Sequence, residues 1–356
     1  MMHRYACTVA YNGAGYEGWQ SQTRGTSIQE KIEEILNRIT EQKINIIASG
    51  RTDGGVSASA QVFMFDTDKE MSARKWMGAM NGFLPADIHI MDCREVDPVL
   101  FHARYNVRWK KYVYRINTGP YDVFTKDTAY QCPVNLDVEA MKRAVPYLIG
   151  THDFTSFNSS SLSEYPDQVR TIFDIKLETE GDRITLTFRG KGFLRFMVRM
   201  VSSALIETGK HKFPPEHVKE ILDARAKNTP HKNAPACGLR LEEVNYFEIC
   251  ALTEQCMVRE YLFDDALPFH TDIEELEKRV RERSDRRVYA FTTRHSQQEQ
   301  GCFYLKDGHG CLAVFDEENL EMGRSLIGQL ETWLKKQNLD PVCEVTLQSR
   351  GILENF

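Results

Sequence analysis

The sequence lacks the features that mark several large protein classes. It has no run of about eighteen apolar residues, the length that a membrane-spanning helix needs, and its first residues lack the layout of a signal peptide. Its nine cysteines are scattered, with no Cys-x-x-Cys pair and no Cys and His cluster at zinc spacing. We therefore expect a cytoplasmic protein with reduced thiols, no membrane segment and no metal.

Familiar catalytic and nucleotide-binding motifs are also missing or out of context. There is no G-x-S-x-G elbow, and none of the ten histidines lies beside an obvious Ser or Cys partner. GAGYEG does place Gly13, Gly15 and Gly18 in the G-x-G-x-x-G spacing after a predicted strand. The segment WQSQTRGTS follows, however, and a helix is predicted only from about Ser27. The context therefore argues against a dinucleotide site.

The chain has little net charge, and that charge is unevenly spread. Its 356 residues carry a net charge of -6 and are 42% hydrophobic and 27% charged, which is typical of a globular protein of two or three domains. Residues 1–250 contain 32 Lys and Arg against 31 Asp and Glu, whereas the remaining residues contain 13 against 20. The acidic excess therefore lies in the last part of the chain.

One strand-like segment is basic and aromatic. FHARYNVRWKKYVYRINTG contains five basic residues and no acidic residue. Such a segment suits a nucleic acid, because cations contact phosphates while rings stack on bases. The same composition is typical of a solvated edge strand. The pattern alone does not separate these two interpretations.

Apolar periodicity and turn residues predict strand, helix and hairpin twice. Ser27 and Glu30 predict a capping box before an amphipathic helix, and Gly181 and Asp182 predict the turn of the second hairpin. NLDVEAMKRAVPYLIG is predicted to be a helix that stops at Gly150. We therefore predict an α+β fold with two related lobes, residues 1–105 and 106–250. Both lobes are expected to have largely antiparallel sheets and flanking helices.

The last part of the chain, residues 251–356, is predicted to be a small acidic α+β domain. TDIEELEKRVRERSD and residues 317–336 are predicted helices. The predicted strands are RVYAFTT, CFYLK, CLAVF and CEVTLQS.

A single carboxylate stands at a predicted hairpin. In ASGRTDGGVSASAQVFMFDT, the apolar strands INIIA and QVFMFD flank Asp53, and Gly54 and Gly55 allow a sharp turn after it. An Asp before Gly often only caps a turn. A two-carboxylate glycosidase would need a second acid facing Asp53, and the sequence leaves that possibility open.

Several motifs in order resemble the tRNA pseudouridine synthase A family. RTDGGVSASAQV resembles its catalytic loop, G-R-T-D-x-G-V-H-A followed by Gln, and Ser57 departs from it where the family commonly has His. The matching positions are Gly50, Arg51, Thr52, Asp53, Gly55, Val56, Ala58 and Gln61. Further segments match in order over residues 4–248, among them YNGAGYEGWQSQ, SIQE, MNGFLPADI, FHARYNVRWKKYVYRI, GTHDFTSF, VRTI, GFLRFMVRMV and APACGLRLEEV.

The resemblance implies conversion of uridine in tRNA to pseudouridine without cofactor or metal. It makes Asp53 the catalytic carboxylate, Tyr112 the ring that stacks on the target base, and Arg199 the cation that pairs with the aspartate. The residues also allow plainer roles, a half-buried strand tyrosine for Tyr112 and an arginine extending from an amphipathic helix for Arg199.

The resemblance further implies a homodimer that holds the anticodon stem-loop of tRNA across a basic cleft. The candidate RNA-binding residues are Arg51, Arg104, Arg108, Lys110, Lys111, Arg170, Lys191 and Arg195. Two alternatives stay open. One is a non-catalytic RNA-binding or folding chaperone, and the other is a divergent relative that acts on a different RNA, to which Ser57 would point.

Overall fold

The computed structural model describes residues 2–22, 26–98, 101–163, 165–227 and 232–246, and after these the backbone of six strands. The chain forms two compact units. One comprises residues 1–98 and 107–246, and the other residues 99–106 and 247–356.

The larger unit is built on one continuous ten-stranded sheet with the order β4-β1-β3-β10-β5-β9-β8-β7, with β2 beside β3 and β6 beside β5. The strands are β1 (His3–Tyr11), β2 (Ile47–Ala48), β3 (Ser57–Thr67), β4 (Ile88–Val96), β5 (Val107–Asn117), β6 (Tyr130–Gln131), β7 (Gly150–Asp153), β8 (Val169–Glu180), β9 (Arg183–Gly190) and β10 (Leu239–Tyr246). Two pairs, β3 with β10 and β5 with β6, are parallel, and the others are antiparallel. The β3–β10 pair joins the strands of the two predicted lobes.

Five α-helices belong to this unit as the structure describes it. They are α1 (Ile28–Thr40), α2 (Ala73–Asn81), α3 (Val138–Ala144), α4 (Met197–Gly209) and α5 (His217–Ala224), with single 3-10 turns at Gly13–Gly15, Val145–Tyr147, Thr155–Phe157 and Ala236–Gly238. The predicted capping box is confirmed, because the Ser27 hydroxyl accepts from the Glu30 amide and the Glu30 carboxylate from the Ser27 amide. The apolar face of α1 is buried in the core.

The helix predicted to stop at Gly150 ends earlier. Its α-helical part finishes at Ala144, and Pro146 lies in the 3-10 turn that follows. A proline has no amide hydrogen to donate and its ring crowds the preceding turn, so the α-helix does not continue. Gly150, with φ +107°, begins β7 instead.

The smaller unit contains a six-stranded sheet with the order β11-β12-β13-β14-β15-β16. Its strands are β11 (Ile249–Ala251), β12 (Cys256–Leu262), β13 (Ser284–Thr293), β14 (Glu299–Lys306), β15 (Gly310–Phe315) and β16 (Val345–Ser349). The four predicted strands are confirmed as β13 to β16. The two helices predicted for this region lie outside the described residues. Across the two units, helices occur together with mostly antiparallel strands, which confirms the predicted mixed fold.

Candidate active site

The loop that carries Asp53 is a tight connection between β2 and β3. These strands pair antiparallel, as predicted. Gly55 has φ +77°, a conformation that side chains disfavour, and the Val56 amide donates to the Asp53 carbonyl oxygen at 3.1 Å. The Asp53 side chain is 18% exposed. The carboxylate is thus largely withdrawn from water but still reachable.

The turn after β1 packs against this loop. Gly18 and Asp53 pair as a single antiparallel bridge, and the Trp19 amide donates to the Thr52 carbonyl oxygen at 3.1 Å. Two segments that are far apart in sequence therefore meet at the carboxylate through their backbones.

Two of the three glycines in GAGYEG are needed for this approach. Gly18 has φ +107°, and a Cβ there would lie 2.7 Å from the Thr52 carbonyl oxygen. A Cβ at Gly13 would collide with the Val56 carbonyl, whereas a Cβ at Gly15 would meet no atom within 4 Å. The glycines thus allow backbone to approach backbone, the same freedom that a pyrophosphate site exploits.

Ser57, at the position where the family commonly has His, faces the protein interior. It is 6% exposed, and its hydroxyl accepts a hydrogen bond from the Gly13 amide at 3.0 Å. This hydrogen bond therefore connects Ser57, the first residue of β3, to the glycine turn, Gly13–Gly18, that follows β1.

Arg199 reaches Asp53 from the first turn of α4. Its Nη1 lies 3.4 Å from Asp53 Oδ2, and its Nε donates to the Ala234 carbonyl oxygen at 2.8 Å. The arginine side chain is 14% exposed, so the pair is poorly screened by solvent. Burial raises the pKa of the Asp53 carboxyl above its ordinary value, and the charges of Arg199 and Arg195 oppose that rise.

The Phe196 ring lies close to both of these arginines. The Arg195 and Arg199 guanidinium carbons lie 5.0 and 5.1 Å from the centroid of its ring. Phe196 immediately precedes α4 and has φ +64°, which is unusual for an aromatic residue. The ring thus contacts both cations that act on Asp53.

Tyr112 lies in β5 and is 8% exposed, so it is more deeply buried than a half-buried strand tyrosine. Its ring meets Phe193 edge to face, with centroids 5.3 Å apart. Burial raises the pKa of its hydroxyl, and the negative charge of Asp53 raises that pKa further. Tyr112 is thus a buried ring whose hydroxyl is within the electrostatic influence of the Asp53 carboxylate.

The segment before β10 supports the site through hydrogen bonds. In the sequence, this segment stood out only as part of the matched motif APACGLRLEEV. The Ala234 amide donates back to the Arg199 carbonyl oxygen at 3.2 Å, and the Pro235 carbonyl oxygen accepts from the Tyr114 hydroxyl at 3.0 Å. A Cβ on Gly238 would lie 2.6 Å from the Tyr114 ring. Neither Ala234 nor Phe196 has a functional group that would mark it in a sequence.

Comparison with known proteins identifies the family that this chain resembles. A family model described as tRNA pseudouridine synthase matches residues 8–106 and 144–247. The tRNA pseudouridine synthase A of Bacillus pumilus is 41% identical over 243 residues, which cover 67% of this chain and 98% of that protein. The protein of the same name from Brevibacillus brevis is 42% identical over 246 residues, 69% of this chain and 100% of that protein.

The chain belongs to the tRNA pseudouridine synthase family. The resemblance seen in the sequence is thereby confirmed, and the chain is an RNA pseudouridine synthase, an isomerase. Among solved structures, the crystal structure of a Cbf5-Nop10-Gar1 complex aligns with 66% of this chain and 57% of that chain, at 12% identity and a TM-score of 0.26.

In this pseudouridine synthase the basic residues predicted to bind RNA differ in their exposure. Arg51, Lys191 and Arg195 are exposed, and Arg108 is half-buried. Arg104 is exposed and belongs to the smaller unit.

Lys110, Lys111 and Arg170, which were also predicted to bind RNA, each make a polar contact within the protein. Lys110 Nζ donates to the Ser49 carbonyl oxygen at 2.8 Å, and Lys111 Nζ donates to Glu243 at 2.6 Å. Arg170 forms an ion pair at 3.4 Å with an aspartate three residues earlier. The sequence could not separate these cations from the exposed ones.

Two kinds of feature are absent from the part of the synthase that the structure describes. Within it, no helix is long and apolar enough to cross a bilayer. No group of three or more His, Cys, Asp or Glu side chains suited to a metal ion occurs among these residues.

Proposed function

We propose that this synthase isomerises uridine in tRNA to pseudouridine, with Asp53 as the catalytic carboxylate. In this reaction the bond from N1 to C1′ breaks, C5 bonds to C1′ in its place, the C5 proton leaves and N1 takes up a proton. Product and substrate are isomers, so the step requires no electron acceptor. Breaking the glycosidic bond places positive charge on the sugar, which a nearby carboxylate can stabilise or trap covalently.

The observation that carries the proposal is the pair of Asp53 and Arg199, 3.4 Å apart at a glycine corner. The guanidinium opposes the effect of burial and so favours the ionised carboxylate that the reaction needs. Tyr112 is proposed to stack on the target base, an interaction worth about 1–3 kcal/mol per base. Because Tyr112 is 8% exposed, the incoming base has to displace some of its neighbours.

The target uridine must leave its stack to reach Asp53, which costs a few kcal/mol and least where the stem is weak. We propose the anticodon stem-loop as the target, held by a homodimer in the cytoplasm, as the resemblance implies. Arg51, Arg104, Arg108, Arg170, Lys191 and Arg195 are proposed RNA contacts. The division into residues 1–105, 106–250 and 251–356 is part of the same proposal.

A tritium-release assay tests the central claim. The full chain and Asp53→Asn are incubated with tRNA transcripts that carry tritium at C5 of uridine. We expect release by the unaltered protein and none above background by the variant, with comparable tRNA binding by both. Binding without release by either protein would instead support an RNA chaperone. Mapping the modified uridine tests the anticodon assignment separately.

A further inference from the structure

Lys110 contacts the backbone that leads into Asp53. Its Nζ donates to the Ser49 carbonyl oxygen at 2.8 Å. Residues two apart on a strand share a face, so Lys110 and Tyr112 lie on the same face of β5. The next residue, Lys111, is on the opposite face and pairs with Glu243. The two adjacent lysines therefore contact different parts of the protein.

The loop is shaped to receive this ammonium group. A Cβ on Gly50 would collide with Lys110 Nζ, so the glycine leaves space for the group. Gln61 contacts the same two residues: its Nε2 donates to the Gly50 carbonyl oxygen at 2.9 Å, and its Oε1 accepts from the Ser49 hydroxyl at 2.5 Å. Gln61 is fully buried. Residues 49 and 50 are thus held by side chains from two strands, β3 and β5.

We propose that Lys110 is a positioning residue that fixes the Asp53 loop against β5, and not a contact to RNA phosphates. This rests on the proposed function of Asp53 as the catalytic carboxylate. One strand then carries both the stacking ring and the cation that anchors the loop of the carboxylate. Lys110 therefore helps to set the distance between base and carboxylate. A hydrogen bond from a charged donor is strong enough for this task.

Two kinds of measurement separate a positioning lysine from a phosphate contact. A phosphate contact adds to the salt dependence of RNA binding, so its loss lowers the slope of log Kd against log salt by about one. A positioning residue acts on the reacting geometry, where a displacement of about 1 Å costs on the order of a hundredfold in rate. The two roles therefore predict opposite patterns in kcat and in the salt slope.

The experiment compares Lys110→Met with Lys191→Met in the full chain, using tRNA transcripts. For Lys110→Met we expect kcat to fall on the order of ten- to a hundredfold, with Kd and the salt slope as in the unaltered protein. For Lys191→Met, at an exposed position, we expect weaker binding and a slope lower by about one. Circular dichroism and thermal melting check that both variants fold.

Gly50→Ala provides a second route should Lys110→Met fail to fold. The added methyl meets the movable end of the lysine and not backbone, so the fold is expected to persist while the ammonium group is pushed off the loop. We expect a similar fall in kcat, with an unchanged salt slope. A lower salt slope with unchanged kcat in Lys110→Met would overturn the proposal. The slope comes from binding alone, so it tests whether Lys110 contacts RNA phosphates even if the tritium assay rejects Asp53 as the catalytic carboxylate.

Discussion

Gly18 and Asp53 are joined by a backbone bridge, which makes the position of the carboxylate depend on a residue without a side chain. The turn after β1 and the loop that carries Asp53 come from separate strand ends, and each has a glycine with positive φ at the junction. This relationship brings together two motifs that lie far apart in the sequence.

The first prediction concerns Gly18→Ala. The substituted residue would have to adopt φ +107° and would place Cβ 2.7 Å from the Thr52 carbonyl oxygen. We expect a loss of more than about 1 kcal/mol in the free energy of unfolding and a clear fall in kcat, because the Asp53 loop must move. Urea unfolding and tritium release measure the two effects.

Gly15→Ala is the matched control in the same motif. A Cβ there meets no atom within 4 Å, so we expect both stability and activity close to those of the unaltered protein. Equal damage from the two substitutions would show that the motif does more than allow this backbone contact.

The second prediction concerns Ser57→Ala. It removes the buried acceptor of the Gly13 amide, and an unsatisfied buried group costs about 1–3 kcal/mol. We expect a lower urea midpoint and little change in the salt slope of tRNA binding, because the hydroxyl faces the interior. Ser59→Ala, two residues along β3, is the control with an expected small effect. A changed salt slope in Ser57→Ala would place this position at the RNA.

Much of the site could be predicted because its signals are local. The hairpin around Asp53 follows from two apolar strands and two glycines, and the start of α1 follows from the pair Ser27 and Glu30. These features depend on residues close together in the chain, where turn and capping chemistry decides the structure.

The rest of the site depends on which distant segments meet in space, and no local sequence pattern shows this. The sequence could not tell that Lys110 contacts Ser49 while Lys191 is exposed, because both are simply basic residues in matched motifs. Nor could it single out Ala234, whose backbone carbonyl holds Arg199. Backbone acceptors are common to all residues, so only the fold identifies the one that is used.

The third prediction is a pH profile for Arg199→Met. Burial raises the pKa of the Asp53 carboxyl, and the guanidinium opposes this rise. Without it that pKa should rise further, so a larger fraction of Asp53 is protonated at a given pH. We expect the acid limb of kcat/KM to move to higher pH, with kcat at its plateau reduced on the order of ten- to a hundredfold. Arg199→Lys, which keeps a charge, should move the limb less. An acid limb that stays in place would separate Arg199 from the ionisation of Asp53.

The fourth prediction is that Asp53→Asn removes activity but not stability. A carboxyl whose pKa is raised in the folded state binds its proton more tightly there than in the unfolded chain. Its contribution to folding is therefore fully present below the unfolded pKa and is lost as pH rises through the folded pKa. Asparagine does not titrate, so the stability of the variant relative to the unaltered protein should increase with pH and level off above the folded pKa. Urea unfolding across a pH series measures this difference.

Asp137→Asn provides a control of opposite sign. Asp137 caps α3, because its side chain accepts a hydrogen bond from the Ala140 amide. This hydrogen bond lowers the pKa of the Asp137 carboxyl. Its stabilising effect is present above the unfolded pKa and is lost as pH falls through the folded pKa, so this variant should lose relative stability as pH rises. A relative stability of Asp53→Asn that also fell with rising pH would mean that Arg199 outweighs burial at Asp53. The site would then stabilise the fold, whereas we expect a carboxylate kept ionised for catalysis at some cost to folding.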